Sequence, residues 1–309
     1  MVHEHIHITD LGRSTNRRLA LSISLTAAFV VFEIAGGLYA NSLALLTDAA
    51  HNVTDVLALV LTWWALRATT KPAHPGKTYG YHRAGILVAV VNSTTMVLIS
   101  IGIFYDAYRR LLATPEVKAD VLIGVGVVAV IVNLATALMV RHGSEDDLNL
   151  RSTFLHLMGD VLSTVGAVAA GIVIRFTGLN WLDPLVSIFI GLLILWNAWG
   201  ILRESVNILM EGTPADVDVQ AVVDSILQVE GVRGVHDLHI WSITRGLRTL
   251  SAHILTDDIP ISDGTRIQAS VSKILDRTYG IAHATLQLEC EGCLPAGLYC
   301  DITVNNHNQ

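Results

Sequence analysis

Six runs of roughly 20 residues, each almost free of charged side chains, constrain the fold of this 309-residue chain more than any other feature. Charged residues make up 15% of the chain, whereas about 25% is usual for a soluble protein. A helix of about 20 residues crosses the hydrocarbon core of a bilayer. We therefore predict an α-helical membrane protein with six transmembrane helices. They cover Leu19–Ala40, Leu43–Leu66, Ala84–Tyr108, Val121–Val140, Ser152–Phe176 and Trp181–Leu202.

The distribution of basic residues predicts how the helices are oriented. An even number of spans places both termini on one side of the membrane. The loops on that side carry most of the arginines and lysines, which indicates the cytoplasm by the positive-inside rule. These residues are Arg13, Arg17, Arg18, Arg67, Lys71, Lys77, Arg83, Arg141, Arg151 and Arg203. We expect a multi-pass protein of the inner (plasma) membrane with both termini cytoplasmic, and the net charge of −7 argues against nucleic-acid binding.

The hydrophobic pattern changes after the sixth span. A helix is predicted first, followed by two strands, a second helix and a third strand, which together form a small α+β domain. These elements cover Val217–Val229, Val232–Ile243, Arg248–Thr256, Ile261–Tyr279 and His283–Glu289. We thus predict four segments. They are a His-bearing cytoplasmic tail (1–18), the membrane domain (19–203), a cytoplasmic α+β domain (204–290) and a C-terminal tail (291–309).

Ionisable side chains occupy matching positions in the second and fifth predicted spans. His51 and Asp55 are four residues apart, as are His156 and Asp160. This spacing places both members of each pair on one helical face. Both pairs also stand in the pattern H-x-x-x-D-V-L. The match indicates a three-plus-three repeat whose halves have opposite orientations, an arrangement common in secondary transporters.

The matched pairs predict a metal site within the membrane. A charged group at the bilayer centre costs at least about 2.5 kcal/mol and is usually functional. Two imidazoles and two carboxylates make a complete tetrahedral ligand set for Zn²⁺. We therefore predict that His51, Asp55, His156 and Asp160 bind a transported divalent cation. Imidazole with carboxylate suits Zn²⁺ and Co²⁺ and disfavours Mg²⁺ and Ca²⁺. Binding to these ligands releases protons, so protons on the far side can expel the metal.

Other interpretations of the four residues remain open at this point. The pairs could hydrogen-bond across helices and only hold the bundle together, although two repeat-related pairs favour a metal site. A passive metal channel usually has a ring of like residues or backbone carbonyls. An intramembrane zinc enzyme usually has three protein ligands and an open position for water.

Other polar residues at membrane depth are expected to support the bundle or the site. Asp48, three residues before His51, is predicted to support the metal ligands from behind or to line the entry to the site, rather than to bind the metal itself. Glu33 is expected to be protonated or hydrogen-bonded inside the bundle, and Asn133 to bond between helices.

Three parts of the chain together resemble the cation diffusion facilitator family, in its bacterial cobalt–zinc–cadmium efflux and zinc-transporter branch. They are the segment Ser42–Asp55 (SLALLTDAAHNVTD), the His156/Asp160 pair and the segment Gly234–Trp241 (GVHDLHIW). The resemblance implies a homodimeric, proton-coupled metal exporter rather than an enzyme, with no catalytic cofactor. It also implies a ferredoxin-like cytoplasmic domain. Zn²⁺ is then the expected cargo, with Cd²⁺ and Co²⁺ as secondary ones.

A second metal site is predicted in the C-terminal domain. The resemblance implies that His236 and His253 bind regulatory metal. His283 and Glu289 on the third predicted strand, and Cys290 and Cys293 in a C-x-x-C just after it, complete the candidate ligands. Imidazole, carboxylate and thiolate are all good Zn²⁺ ligands. The alternative is a pair of ordinary thiols beside strand histidines without metal.

Overall fold

A computed structural model of the chain describes residues 13–141 and 148–290, and six long helices form its N-terminal part. They are α1 (Arg13–Ala40), α2 (Leu43–Thr69), α3 (Ala84–Ala113), α4 (Ala119–Arg141), α5 (Leu148–Thr177) and α6 (Leu182–Leu209). Among the described residues, α2 to α6 are long and apolar enough to cross a membrane, and α1 contributes the shorter apolar stretch Thr26–Ala40. The predicted helical membrane fold is confirmed.

The Cα positions divide the chain into two compact units. Of the described residues, the first contains 13–64, 91–141 and 148–202, and the second contains 65–90 and 203–290. The segment that joins α2 to α3 therefore belongs to the second unit together with the C-terminal residues.

Helices in the first unit approach one another closely at glycines. A Cβ atom on Gly36 of α1 would lie 2.6 Å from a methyl group of Val125 on α4. A Cβ atom on Gly126 of α4 would lie 2.6 Å from a methyl group of Val168 on α5. Small residues of this kind let membrane helices pack tightly where lipid provides no hydrophobic driving force. They bring α1 and α5 against α4.

The N-terminus of α2 is capped by a carboxylate from another helix. Asp183, in the first turn of α6, is fully buried. It accepts hydrogen bonds from the Ser42 hydroxyl at 2.5 Å, from the Leu43 amide at 2.6 Å and from the Ala44 amide at 3.3 Å. The first amides of a helix have no partner within the helix, so Asp183 satisfies groups that burial would otherwise leave without acceptors. This contact joins the start of α6 to the start of the helix that carries His51.

The C-terminal part folds as the predicted helix, strand, strand, helix and strand. The elements are α7 (Val219–Leu227), β1 (Gly234–Thr244), β2 (Leu247–Leu255), α8 (Ile261–Tyr279) and β3 (Ile281–Glu289). The sheet order is β1-β2-β3, with β1 antiparallel to β2 and β2 parallel to β3. Apolar side chains of α7, α8 and one face of the sheet form the core. The predicted α+β character of this domain is confirmed.

Candidate metal-binding sites

Three ligand atoms converge in the membrane part of the structure, and we call His51, Asp55 and Asp160 the membrane triad. The three ligand atoms lie within 4.8 Å of one another. His51 Nε2 is 3.6 Å from Asp55 Oδ2 on the same helix and 3.3 Å from Asp160 Oδ1 on α5. Three of the four residues predicted from the matched pairs are thus brought together across two helices.

The fourth predicted membrane ligand, His156, lies on α5 one helical turn before Asp160. Its side chain is outside the described residues, so its assignment to the site stays a prediction.

Hydroxyl groups surround the Asp160 end of the triad. Ser163 and Thr164 both donate hydrogen bonds to the backbone carbonyl of Asp160, at 2.9 Å and 2.7 Å. The Thr164 hydroxyl also lies 2.8 Å from Asp48 Oδ2. Asp48 therefore lies behind the triad, as predicted, and reaches the Asp160 turn through one side chain. Groups of this kind orient metal ligands without binding the metal themselves.

The membrane triad opens into a cavity of about 650 Å³ between α2, α3, α5 and α6. On α6 its lining begins at Ile190 and ends at Ile201, eight residues from either end, so the cavity lies along the middle of that helix. His51 is buried, whereas Asp55 is 34% exposed and Asp160 is 13% exposed. The carboxylates can thus be reached from the cavity.

A second cluster lies on the sheet of the C-terminal part, and we call His236, His253 and Glu289 the sheet triad. Their ligand atoms also lie within 4.8 Å of one another. Glu289 reaches both rings, with Oε2 at 3.1 Å from His236 Nε2 and Oε1 at 2.9 Å from His253 Nδ1. The two rings meet edge to face with their centroids 5.1 Å apart. Two imidazoles and one carboxylate fit the ligand preferences of Zn²⁺.

A β-bulge places His236 on the correct face of the sheet for this cluster. Leu238 and Ile240 of β1 point into the core, and simple alternation would send His236 there as well. The pairing register shifts between His236 and His239, and Asp237 within the shift has a left-handed φ of 48°. The extra residue inverts the phase of the strand. His236 therefore stands opposite His253, on the face away from the core.

Models of two protein families match almost the whole chain. The cation efflux transmembrane domain matches residues 19–210, and the cation efflux protein cytoplasmic domain matches residues 214–291. The chain belongs to the cation diffusion facilitator family. It is accordingly a cation efflux transporter of the membrane, not an enzyme, which removes the intramembrane zinc enzyme considered above.

Curated relatives are similar over most of their length. A cadmium, cobalt and zinc/H⁺-K⁺ antiporter of Bacillus subtilis is 38% identical over 276 residues, covering 88% of each chain. The metal cation efflux system protein CzcD of Cupriavidus metallidurans is 36% identical, covering 93% of this chain and 90% of its own. The zinc transporter ZitB of Escherichia coli is 33% identical, covering 100% of this chain and 99% of its own.

Within this cation diffusion facilitator, the sheet triad is smaller than the set of ligands predicted from sequence. His283 pairs with Thr249, six residues before Glu289 along β3. Six residues of strand span roughly 20 Å, so His283 cannot share a metal with Glu289 in the same chain. Its ring instead contacts Tyr79. The prediction that His283 is a ligand of this site is therefore corrected, because β3 holds it too far from Glu289.

The structure describes one of the two predicted cysteine ligands. Cys290 follows Glu289 directly, is exposed and lies outside the sheet triad. Cys293 is outside the described residues, so the C-x-x-C site stays a prediction.

Asp237 is a site residue that the sequence interpretation missed. Its Oδ2 lies 3.4 Å from His253 Nε2, on the opposite side of the ring from Glu289, and its Oδ1 lies 3.1 Å from His239 Nε2. A carboxylate on the second nitrogen fixes the tautomer of a ligand histidine. The available signal was its position between two histidines in the segment His236–His239.

Proposed function

We propose that this chain exports divalent metal cations from the cytoplasm in exchange for protons, with Zn²⁺ as the principal cargo and Cd²⁺ and Co²⁺ as secondary ones. The observation that carries the proposal is the membrane triad in its cavity. Two carboxylates converge on one imidazole inside the membrane part of the fold. Such a group is costly at this depth unless a cation balances it.

The chemistry of the ligands supports the choice of metal. Imidazole nitrogen and carboxylate oxygen together suit Zn²⁺ and its neighbours rather than Mg²⁺ or Ca²⁺. We propose His156 as the fourth ligand, one helical turn from Asp160. Four protein ligands would close a tetrahedral shell around the ion during transport.

Proton exchange follows from the same ligands. Zn²⁺ binds neutral imidazole and ionised carboxylate, so protons and metal compete for the same atoms. A higher proton concentration on the releasing side therefore favours discharge of the ion. The Bacillus subtilis relative carries both a metal and H⁺ in its name.

We further propose that the triad cavity faces the cytoplasm, that both termini are cytoplasmic and that the protein is a homodimer in the inner membrane. The proposed orientation rests on the excess of arginine and lysine in the loops on the side of the termini. In the same orientation α3 begins on the cytoplasmic side, and the residues by which it lines the cavity, Asn92, Ser93 and Met96, lie in its first half.

The sheet triad is proposed as a regulatory metal site. His236, His253 and Glu289 would hold Zn²⁺ with three protein donors, and Asp237 would orient His253 from the other side of its ring. Metal bound by folded strands stabilises the folded form of the domain. Cytoplasmic zinc would in this way be registered separately from the ion being carried.

The test is zinc flux into liposomes that contain a zinc-sensitive dye, with and without a pH gradient. We expect the gradient to accelerate flux and Asp160→Ala to lower it at least about 100-fold, because outer-shell partners alone are often worth 10–100-fold. The matched control is Asp120→Ala, which removes an exposed aspartate paired with Arg175 in the same unit. Flux indifferent to the gradient would favour a passive channel, and wild-type flux in Asp160→Ala would remove the triad from the transport path.

A further inference from the structure

Two further carboxyl groups are buried beside the membrane triad without being part of it. Glu33 on α1 is fully buried, and Asp48 on α2 is 1% exposed. Asp48 lies one helical turn before Asn52, whose side chain bonds Glu33, so Asp48 stands on the face of α2 that meets Glu33. We call Glu33 and Asp48 the acidic pair.

Each member of the acidic pair receives one hydrogen bond from a neighbouring helix or turn. Asn52 Nδ2 donates to Glu33 Oε2 at 2.8 Å, and the Thr164 hydroxyl lies 2.8 Å from Asp48 Oδ2. Among the described residues, however, no donor reaches Glu33 Oε1, which is buried. A buried acceptor without a donor is rare in folded proteins, because it costs about 1–3 kcal/mol.

A single proton on the acidic pair would supply the donor that Glu33 Oε1 lacks. Two carboxylates are both acceptors, so they cannot hydrogen-bond to each other unless one of them carries a hydrogen. Two carboxylates that share a buried site also repel each other strongly if both are ionised. The pair lies beside the membrane triad, because Asn52 follows His51 in the chain and Thr164 contacts the Asp160 carbonyl.

We infer that Glu33 and Asp48 share one proton and that this proton is released when a metal ion binds to the membrane triad. The inference deepens the proposed proton exchange and rests on it. It gives the exchange a proton-binding site separate from the metal ligands. The pair would bind a proton while the triad is without metal and give it up when the triad is loaded.

The contacts supply the coupling between the two sites. The Thr164 hydroxyl has one hydrogen and two acceptors, Asp48 Oδ2 and the Asp160 carbonyl. On the other side, Asn52, which bonds Glu33, directly follows His51 in the chain. A divalent ion at the triad is the largest local charge, and it favours the ionised form of nearby carboxyl groups. The O–H bond of the pair then breaks, the proton passes to water, and both electrons of the bond stay on the carboxylate.

The experiment counts protons rather than flux. Zn²⁺ is titrated into the purified full-length protein by calorimetry at one pH in buffers of different ionisation enthalpy, which gives the number of protons released per Zn²⁺ bound. We expect Glu33→Gln to bind Zn²⁺ and to release about one proton fewer than the wild-type protein. The glutamine amide can donate to Asp48 as the shared proton does, so it imitates the protonated pair.

Asp120→Asn is the matched control, since it changes an exposed acid of the same unit to its amide and should leave the count unchanged. Asp48→Asn is the second variant, in case Glu33→Gln does not fold, and it should lose the same proton. An unchanged count in either folded variant overturns the inference. A wild-type count that depends on K⁺, tested against a large organic cation, also overturns it by placing a monovalent ion at the pair.

The result is separable from the proposed function. Liposomes that fail to export zinc, combined with a lost proton in Glu33→Gln, would refute export and keep the shared proton. Gradient-driven zinc export, combined with equal proton counts in wild type and Glu33→Gln, would support export and refute the shared proton.

Discussion

The membrane triad and the sheet triad contain the same chemical groups in opposite settings. The first combines one imidazole with two carboxylates on helices around an open cavity, whereas the second combines two imidazoles with one carboxylate on adjacent strands. Burial does not separate the two triads, because each has two side chains that are at most 13% exposed and a third that is about one-third exposed, Asp55 at 34% and His253 at 28%. The comparison teaches that the two sites differ in their framework: the membrane triad joins two separate helices, whereas the sheet triad lies on three strands that are hydrogen-bonded to one another.

The strongest test of this comparison removes one carboxylate from each triad. In liposomes, Asp160→Ala should lower zinc export at least about 100-fold, because a metal ligand is lost. Glu289→Ala should leave the maximal rate at saturating zinc close to wild type, because the proposed binding site of the carried ion does not include Glu289. Equal losses in the two variants would contradict the division into a transport site and a regulatory site.

The membrane triad depends on the cap that Asp183 provides at the start of α2, the helix that carries His51 and Asp55. Asp183→Ala removes the acceptor from the Ser42 hydroxyl and from two amides of α2. We expect a loss of several kcal/mol of stability in detergent, since each buried donor left without an acceptor costs about 1–3 kcal/mol. Thermal unfolding of this variant is measured against Ser187→Ala, which removes a hydroxyl that donates to the Asp183 backbone carbonyl. A melting temperature equal to that of the control would show that the cap is dispensable.

The sheet triad depends instead on the bulge at Asp237. Asp237→Ala should destabilise the domain by about 1–2 kcal/mol, because alanine is strained at a left-handed φ. It should also weaken zinc binding about tenfold through the lost contact with His253. Asp237→Gly relieves the strain and keeps the second defect, so the pair separates backbone from ligand effects. Identical unfolding curves for the two variants would refute the role of the backbone.

The smallest effect is expected at His283. His283→Ala should change zinc affinity of the cytoplasmic domain by less than about twofold, whereas His236→Ala should lower it at least tenfold, given what ligand partners contribute. Isothermal titration of the two full-length variants makes this comparison. A large loss in His283→Ala would mean that this histidine completes a site outside its own chain.

The membrane triad could be predicted because the spacing within each helix is local and the repeated H-x-x-x-D-V-L pattern relates the two helices. The i, i+4 spacing of His51 and Asp55 puts both on one helical face whatever the rest of the fold does. The sheet triad could be predicted only in part. His236 and His253 were named from the family resemblance, but the phase of His236 depends on a one-residue bulge, and strand periodicity alone sends it into the core.

Contacts between distant segments were the least predictable from sequence. Asp183 looks like an ordinary acid in the first turn of α6, where the helix dipole favours it. Its actual partners are 139 to 141 residues away, at the start of α2. No periodicity or motif encodes that distance. The acidic pair has the same character, since Glu33 and Asp48 belong to different helices.

The cap by Asp183 has a mechanical consequence for a transporter. Drawing the start of α6 away from the turn between α1 and α2 strips three donors of one acceptor in the same movement. At a small separation of the two helix ends, the three donors have lost Asp183 and no other acceptor has reached them. Small displacements at that end therefore cost free energy until water or another acceptor replaces the lost hydrogen bonds. The contact therefore disfavours partly separated arrangements of the two helix ends. A bundle held in this way is expected to switch between two discrete states rather than to deform continuously.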